Sequence, residues 1–300
     1  MKSSNPKIDI YTRVTDQIVA ALEAGARPWC QPWRSGDGAG TLSRPLRLNG
    51  IPYRGINVLL LWSEAEEKRY SGNTWMTYKQ AEALGAHVRK GERGSMVVYA
   101  NTITKAEVDD RGDEVEQSIP FLKAYTVFNI AQIENLPADL TPQRAEEAST
   151  IELMEEPEAF FRATGASFRH GGSRAFFAPG PDFIQLPEPG SFKDSVSYVA
   201  TKAHELAHWT GHKSRLAREF GLRFGDEAYA FEELVAEISS AFLCADMGIS
   251  LEPREDHAAY LSSWLQVLKQ DKRAIFSAAS HAQKAVDYLH GLVLENGCCV

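Results

Sequence analysis

The amino-acid sequence predicts an α+β protein in which a small mixed region is followed by a mainly helical region. Short helical patterns are followed by strand patterns in the first 133 residues, whereas long helical patterns dominate the last third of the chain. A polar, proline-containing segment, residues 134–150, lies between them and is typical of a linker. Because 300 residues are enough for two domains, we expect one domain over residues 1–133 and a second over residues 151–300.

The first region is predicted to contain short helices followed by strands. Apolar residues at helical spacing predict helices over residues 8–24, 55–69 and 77–84, and the last of these begins at a threonine that can cap it. Apolar and β-branched residues then predict strands over residues 95–100 and 124–129, with an acidic turn between them. This mixture of elements makes the first domain α+β.

The second region is predicted to be mostly helical. Two short apolar runs near its start, separated by Pro-Gly-Pro, predict a strand pair or an edge strand over residues 175–178 and 182–186. The predicted helices span residues 151–164, 195–211, 228–247 and about 257–294.

Composition and cysteine usage indicate an ordinary globular protein of the cytoplasm. No stretch approaches the ~18 consecutive apolar residues of a membrane span, and the first residues lack the apolar core of a signal peptide. We therefore expect a cytoplasmic protein with no membrane partner. The four cysteines form no CxxC pair, which argues against a disulfide framework and against cysteine-ligated zinc.

Charge is distributed unevenly along the chain, whose formal net charge is −8. Residues 1–105 carry 15 Lys and Arg against 9 Asp and Glu, whereas the remainder carries 17 against 31. A basic first region on an acidic protein suggests that any polyanion, nucleic acid included, binds there. The alternative is that the surface charge is unevenly distributed without any ligand, and charge alone does not distinguish the two explanations.

The segment AHELAHWTGH, residues 203–212, places the HExxH motif of zinc peptidases in a predicted helix. His204 and His208 are four residues apart, so on a helix they lie on one face and can bind one metal ion. Glu205 lies beside them and can polarise a water molecule. We therefore predict a site for Zn²⁺, replaceable by Mn²⁺ or another divalent metal, with Glu205 as the catalytic base. The alternative is a helix with two partly buried histidines and a surface glutamate.

Zinc peptidases with an HExxH motif are divided into subclasses by the residue that supplies the third ligand of the metal. A three-histidine site would have histidine at position 214, which is serine, so the ligand must come from elsewhere. A second predicted helix offers Glu232, Glu233 and Glu237. We assign Glu233 as the ligand and Glu237 as a carboxylate that orients a ligand imidazole, with Glu237 as the alternative ligand. Glu232 is expected to face solvent. Two histidines and one glutamate leave the fourth position open, which is typical of catalytic zinc.

Such a site predicts metal-assisted peptide hydrolysis, in which Glu205 takes a proton from water. The strand-like residues 176–186 could form one wall of the cleft and hydrogen-bond to an extended peptide. Tyr229 is a candidate donor to the developing oxyanion, although a tyrosine of the core is the commoner explanation of such a residue.

Basic and aromatic side chains interleave between residues 27 and 93. Single-stranded nucleic acid needs cations along its backbone and flat side chains on which its bases stack, so we predict that it binds here. Some of the aromatic residues, Trp62 above all, are explained equally well as core. The candidate contacts are Arg44, Arg47, Tyr53, Arg54, Trp75, Lys79, Lys90 and Arg93. The last two, Lys90 and Arg93, lie in the loop KGERG, residues 90–94.

Five segments of the chain together form a more specific pattern. They are NGIPYRGINVLLLW (residues 49–62), TWMTYKQAEALGAHVRKGERGSMVVY (74–99), HELAHWTGHKSRLAR (204–218), YAFEELVAEISSAFL (229–243) and SWLQVLKQDKRAIFSAASHAQKAVDYL (263–289). This pattern resembles the ArdC antirestriction proteins of conjugative plasmids and the related N-terminal part of TraC-type plasmid primases. The resemblance implies a single-stranded-DNA-binding domain joined to a zincin-like metallopeptidase domain. It also implies a bacterial protein that shields incoming plasmid DNA from host restriction. His204, Glu205 and His208 match the family's motif.

Three functions agree with this pattern. The favoured one is an antirestriction protein that binds single-stranded DNA, and double-stranded DNA more weakly, and that carries a metal site of the peptidase type. The second is a DNA-localised zinc peptidase that cleaves a protein partner, such as a component of a restriction system. The third is a non-catalytic DNA-binding decoy in which zinc is structural.

Overall fold

The computed structural model of the chain describes residues 9–29, 43–70, 72–108, 114–140, 152–218, 227–249 and 258–296. The predicted linker from residue 141 onward therefore lies outside the described residues, as does residue 257, where the last helical stretch was predicted to begin. The described residues form a mixture of helices and strands, which confirms the predicted α+β class.

The helices of the first region form where the sequence predicts them; they are α1 (Ile10–Glu23), α2 (Ile56–Lys68) and α3 (Tyr78–Ala83). The carboxylate of Asp9 caps α1 by accepting hydrogen bonds from backbone N–H groups of the first turn. Thr77 and Gln80 form a capping box at the start of α3. The first residue of each of these two helices, α1 and α3, is set by a capping side chain within three residues of it in the sequence. For that reason the sequence predicts where they begin.

The strands described in the first region are β1 (Leu46–Arg47), β2 (Thr74–Met76), β3 (His87–Val88), β4 (Ser95–Val108), β5 (Glu114–Asn129) and β6 (Ile133–Glu134). The larger sheet has the order β1-β2-β5-β4, in which β1 runs parallel to β2 and the other neighbours are antiparallel. A smaller antiparallel sheet pairs β3 with β6, so the first region continues into the start of the predicted linker.

β4 and β5 are much longer than the strands predicted over residues 95–100 and 124–129, because they form a hairpin that continues to Val108 and Glu114. The sequence of its outer half lacks the strict alternation of apolar and polar residues that marks a half-buried strand. An alternation of apolar and polar residues indicates that one face of a strand is buried, but it does not indicate whether the backbone is paired. The sequence therefore does not predict the outer half of the hairpin.

The second region begins with α4 (Glu152–Ala163) and a small sheet. Its strands are β7 (Phe168–His170), β8 (Phe176–Ala178) and β9 (Phe183–Leu186), in the order β7-β9-β8. The predicted strand pair corresponds to β8 and β9, which are antiparallel, whereas β7 was not predicted. Among the described residues, β8 pairs with β9 alone and is therefore an edge strand.

The other helices described in the second region are α5 (Ser195–Thr210), α6 (Glu227–Asp246), α7 (Ala258–Gln270) and α8 (Ala274–Glu295). The last two occupy what the sequence predicts as one helical stretch. They are separated at Asp271, whose carboxylate accepts a hydrogen bond from the backbone N–H of Arg273 and so favours a turn. In the described part of the chain, no helix is both long enough and apolar enough to cross a membrane.

The hydrophobic core is continuous between the two regions. Trp62 of α2 packs edge-to-face against Phe242 of α6, with ring centroids 5.9 Å apart, and Trp29 meets Trp264 of α7 at 5.7 Å. All four rings are buried, so the interpretation of Trp62 as core is correct. Aromatic burial of this kind stabilises the packing of the two regions against each other.

Arg44 lies in this shared core and is not the DNA contact that we predicted. It is 6% exposed. Its guanidinium donates to both carboxylate oxygens of Asp246, at 2.5 and 2.8 Å, and to the amide oxygen of Gln283 at 2.8 Å. It also lies over the ring of Phe242. A buried arginine with these partners does not reach a ligand; it joins the first region to α6 and α8.

Tyr53 and Trp75, also predicted to contact DNA, are buried as well, with 3% and 1% of their surfaces exposed. Trp75 lies on β2 and packs edge-on against Tyr70, with ring centroids 5.8 Å apart. Both predictions were wrong because interleaved basic and aromatic residues in a sequence do not distinguish a ring in the core from a ring on the surface. Large apolar rings gain the most from burial, and these two are buried.

Replacing Arg44 by alanine is expected to lower the free energy of unfolding by about 3 kcal/mol, because Asp246 would keep a largely buried charge without this partner. The midpoint of urea denaturation, followed by circular dichroism, measures the loss. The control is Arg47→Ala, the same change at an exposed position, which should shift stability by less than about 0.5 kcal/mol. An Arg44→Ala protein that is as stable as the control but binds DNA poorly would contradict the structural role.

Candidate metal centre

α5 carries the predicted metal-binding motif and is largely buried. The helix begins at Asp194, whose carboxylate accepts a hydrogen bond from the N–H of Ser197 at 2.7 Å. One helical turn separates His204 from His208, so both imidazoles lie on the same face of the helix. Their Nε2 atoms are 3.2 Å apart.

α6 packs against this face of α5 and supplies a carboxylate. The hydroxyl of Ser240 donates to the carbonyl oxygen of Ala200 at 3.0 Å and ties the two helices together. Oε2 of Glu233 lies 3.5 Å from Nε2 of His204, and its Oε1 lies 3.4 Å from Nε2 of His208. Among the described residues, these three side chains are the group that could hold a metal ion.

The spacing of these ligand atoms is close to that around a tetrahedral ion. Ligands placed about 2.0–2.1 Å from zinc at the corners of a tetrahedron lie about 3.3 Å from one another. The two Nε2 atoms are 3.2 Å apart, and each lies 3.4–3.5 Å from a different oxygen of Glu233. One ligand atom from each of the three side chains lies within 4.8 Å of the other two, so a small adjustment of the carboxylate would bring the three atoms to this spacing. Two imidazoles and one carboxylate are also a donor set of catalytic zinc sites. The residues present therefore fit a divalent metal.

Two further carboxylates of α6 lie against the other nitrogen of each imidazole. Oε1 of Glu237 is 3.0 Å from Nδ1 of His204, and Oε1 of Glu232 is 3.3 Å from Nδ1 of His208. A carboxylate beside Nδ1 favours the tautomer that has its proton there, and so leaves the lone pair of Nε2 available to a metal. Glu237 and Glu232 thus lie where a carboxylate could orient a ligand imidazole, and Glu233 lies where it could bind the same ion as the two Nε2 atoms.

Glu232 was expected to face solvent, and this expectation was wrong, because Glu232 is 3% exposed. Arg218 donates to its two oxygens at 2.8 and 3.0 Å and to the carbonyl oxygen of Ala207 at 2.6 Å. The chain after α5 folds back to allow this, and the N–H of Arg218 donates to the carbonyl oxygen of Gly211. No helical spacing signals such a turn, so the sequence did not reveal that Arg218 holds Glu232 against His208.

The charges of this cluster stabilise one another. Burial alone would lower the pKa of the imidazoles, but Glu233 and Glu237 raise the pKa of His204 well above its ordinary value. Glu232 and Glu233 likewise raise the pKa of His208 to about 9. Burial would raise the pKa of Glu233, yet the two imidazoles lower it instead. Glu233 is therefore ionised at neutral pH, the form in which a carboxylate binds a metal.

A cleft of about 650 Å³ opens onto this group. Glu205 lines the cleft and makes no hydrogen bond or ion pair with any residue that the structure describes. Tyr229 of α6 lines it too, with its hydroxyl oxygen 3.4 Å from that of Tyr260. Burial, together with Tyr260 and Glu233, raises the pKa of Tyr229. Its hydroxyl therefore keeps its proton at neutral pH, beside Tyr260 and Glu233.

β8 forms one wall of the cleft through Phe176 and Phe177, so the segment predicted as a wall lies at the site. Arg215 holds the turn between β8 and β9 against α5. Its guanidinium donates to both carboxylate oxygens of Asp182, at 2.6 and 3.0 Å, and to the carbonyl oxygen of Trp209 at 2.6 Å. Because Asp182 directly precedes β9, this pair fixes the strand pair relative to the helix of the motif.

The other predicted DNA contacts lie on the surface of the first region. Arg54 is exposed and forms an ion pair with Asp287 of α8. The remaining cations are exposed and have no ion pair among the described residues; they are Arg47, Lys79, Lys90 and Arg93.

Two family models match the chain. Residues 8–128 match the N-terminal domain of anti-restriction factor ArdC, and residues 155–281 match a zincin-like metallopeptidase. The first match contains the exposed cations, and the second contains His204, His208 and Glu233, the three side chains that could hold a metal ion and that we call the metal-binding group.

Relatives of similar length align with nearly the whole chain. The antirestriction ArdC protein from plasmid R388, in a metal-free crystal structure, is 45% identical and aligns over 96% of this chain and 99% of its own, with a TM-score of 0.81. Its Mn(II)-bound structure aligns over 95% and 98%, with a TM-score of 0.78. The uncharacterized protein y4eC of Sinorhizobium fredii (strain NBRC 101917 / NGR234) is 43% identical over 94% of this chain and 92% of its own length.

A longer relative shares only part of its length with this chain. A DNA primase TraC of Escherichia coli is 38% identical over 96% of this chain, which spans 20% of that primase. A second TraC of the same species is 39% identical over 94% of this chain and 27% of its own length.

Glu232→Gln is expected to lower the affinity for Zn²⁺ by about 10- to 100-fold, because it removes the charge that orients His208 and pairs with Arg218. Competition with a chromogenic chelator measures this affinity. The matched control is Glu227→Gln, at the exposed first residue of the same helix, which should bind Zn²⁺ as the unmodified protein does. Equal affinities in the two variants would show that Glu232 does not orient a ligand.

Proposed function

Because the chain belongs to the ArdC antirestriction family, we propose that it protects incoming plasmid DNA from host restriction. It would do so by binding single-stranded DNA through its first region and by acting through a metallopeptidase-type centre in its second. The observation that carries this proposal is the group of His204, His208 and Glu233 at the base of an open cleft. Restriction of incoming DNA takes place in the cytoplasm, which is where we propose that the protein acts.

We propose Zn²⁺ as the metal, held by His204, His208 and Glu233, with Mn²⁺ as a possible replacement. The ligand spacing and the Mn(II)-bound relative both support a divalent ion at this position. A structural zinc site has four protein ligands, whereas the group has three among the described residues, and this difference supports catalysis. When bound, the metal would supply Lewis acidity to the cleft.

We propose Glu205 as the general base. Its carboxylate lines the cleft, and no described residue competes for it. It would take a proton from the attacking water and then deliver that proton to the leaving amine. Tyr229, which keeps its proton, would donate a hydrogen bond to the substrate carbonyl oxygen as negative charge develops there.

An extended peptide is the substrate that the cleft supports best. The outer edge of β8 has no strand beside it among the described residues, and such an edge can pair with a peptide backbone. Phe176, Phe177 and Phe192 line the cleft and offer apolar surface to side chains. We therefore propose that a protein, such as a component of a restriction system, is the partner of this site.

We propose that the first region binds single-stranded DNA and, more weakly, double-stranded DNA. The cations Arg47, Lys79, Lys90 and Arg93 support this proposal, since no described carboxylate neutralises them. The similarity to a DNA primase supports it as well, because the primase aligns over 96% of this chain.

A DNA-localised zinc peptidase remains a second candidate, favoured by the availability of Glu205 in the cleft. The two candidates differ in the biological purpose of peptide hydrolysis. In the first proposal hydrolysis serves protection of DNA, whereas in the second it serves the removal of a protein partner. Loss of cleavage without loss of protection would favour the second candidate.

Glu205→Gln is expected to abolish protection of unmodified plasmid DNA that enters a restricting host, because a general base contributes about 10²- to 10⁴-fold to such a reaction. The number of established plasmids per recipient measures protection. Affinities for Zn²⁺ and for single-stranded DNA should not change, since Glu205 is not among the ligands or the exposed cations. Full protection by this variant would contradict a role of hydrolysis in protection. It would favour the second candidate if the unmodified protein cleaves a protein that the variant does not, and a DNA-binding decoy if neither protein cleaves one.

Lys90→Gln combined with Arg93→Gln is expected to weaken binding of single-stranded DNA and to flatten its salt dependence. Each lost phosphate contact should reduce the slope of log K against log salt by about 0.7. Fluorescence anisotropy of a labelled oligonucleotide at several salt concentrations measures the slope. Arg89→Gln is the control, because Glu92 already pairs with that guanidinium, and it should change the slope less. An affinity of the unmodified protein that does not depend on salt would contradict electrostatic binding.

A further inference from the structure

The β4–β5 hairpin carries exposed aromatic side chains on one of its faces. Alternate residues of a strand point to the same face, and residues opposite each other on paired strands share that face. The successive cross-strand pairs on this face are Val97 with Tyr125, Tyr99 with Lys123, and Asn101 with Phe121.

This face is buried at its base and open further along the hairpin. Val97 and Val127 belong to the hydrophobic core, whereas Tyr99 is 49% exposed and Tyr125 is 40% exposed. Exposed rings of this size contribute little to the core, and neighbouring exposed rings are a mark of a binding surface. The fold itself therefore does not account for two tyrosines at these positions.

The rings and the cations of this face lie side by side. The ring centroids of Tyr99 and Phe121 are 6.3 Å apart, and the ammonium of Lys123 lies 5.1 Å from the ring of Phe121. At the base of the face, the guanidinium of Arg47 lies 5.3 Å from the ring of Tyr53. The strand registers pair Arg47 with Trp75 and Trp75 with Asn129. Asn129 is four residues from Tyr125 on β5, so Arg47 lies on the same face of the sheet.

The charge of this surface is positive. Lys123 and Arg47 have no ion pair among the described residues. The described side chains that share the face on β4 and β5 include no carboxylate; they are Ser95, Val97, Tyr99, Asn101, Phe121, Lys123, Tyr125, Val127 and Asn129. Glu64 of α2 accepts a hydrogen bond from Ser95 at the base of the face, and its charge is paired with Lys68.

We propose that the bases of single-stranded DNA stack on this surface, which we call the hairpin strip and define as Tyr99, Phe121, Lys123, Tyr125 and Arg47. The inference rests on the proposed function, which assigns DNA to the first region through exposed cations alone. Stacking requires bases that are free of pairing, so the hairpin strip would favour single strands over duplexes. The cations would contact phosphates in either form of DNA.

The test compares leucine and phenylalanine at the two exposed tyrosines of the full-length protein. Tyr99→Leu combined with Tyr125→Leu removes both stacking rings and should lower the affinity for an oligo-dT strand by about 5- to 150-fold for each stacked base lost. The affinity for a duplex of equal length, and the salt dependence for both ligands, should not change. Tyr99→Phe combined with Tyr125→Phe keeps the rings and should keep the affinity.

Tyr78→Leu is the matched control. Tyr78 is 48% exposed, and its ring packs against Phe128 with centroids 6.4 Å apart. Phe128 is an odd number of residues from Tyr125 on β5 and so belongs to the opposite face of the strand. The control should bind oligo-dT as the unmodified protein does, and thermal unfolding should show all variants to be folded.

The outcomes separate this inference from the proposed function. Oligo-dT binding by the double leucine variant that equals that of the unmodified protein would overturn the hairpin strip as a DNA site, and would leave the proposed DNA binding intact. Equal losses for oligo-dT and duplex, or an equal loss in the double phenylalanine variant, would overturn stacking as the interaction. Absence of oligo-dT binding by the unmodified protein would overturn the proposed DNA binding itself.

Discussion

The candidate metal centre depends on the burial of three carboxylates against two imidazoles where α5 and α6 meet. Glu232, Glu233 and Glu237 are all buried, and like charges removed from water are costly unless each has a partner. Each carboxylate lies against His204 or His208. The contacts that make this burial tolerable also turn both Nε2 atoms toward Glu233, so the stability of the helix pair and the geometry of the ligand set have the same cause.

The helix that supplies these carboxylates is also held by the first region. Glu232 and Glu233 lie in the first half of α6 and Glu237 lies at its middle, whereas Arg44 pairs with Asp246 at its last residue. The contact of Trp62 with Phe242 adds a second attachment along the same helix. The two regions match different family models, yet they share one core, so a change that loosens the first region also loosens the support of the metal-binding group.

The elements that could be predicted from the sequence are those whose causes lie within a few residues. Helix α3 begins at its own capping box, and His204 and His208 share a face because of helical spacing alone. The burial of Glu232 could not be predicted, because its partner Arg218 arrives through a turn that no periodicity reports. Arg44, Tyr53 and Trp75 were misassigned for a related reason, since a basic and aromatic composition is the same in a core and on a surface. Only the tertiary contacts of a residue show whether it lies in the core or on the surface.

Charge gives one more reason to expect different ligands in the two regions. The cleft is lined by the carboxylates Glu205, Glu232, Glu233 and Glu237 and by Arg174, His204 and His208, and residues 106–300 carry 17 Lys and Arg against 31 Asp and Glu. A phosphodiester backbone is attracted less to this acidic region than to the basic first region, whereas a peptide backbone carries no charge and can pair with the edge of β8. The exposed cations and the hairpin strip lie in the first region. The charge distribution therefore favours our proposal that DNA binds to the first region and a protein to the cleft.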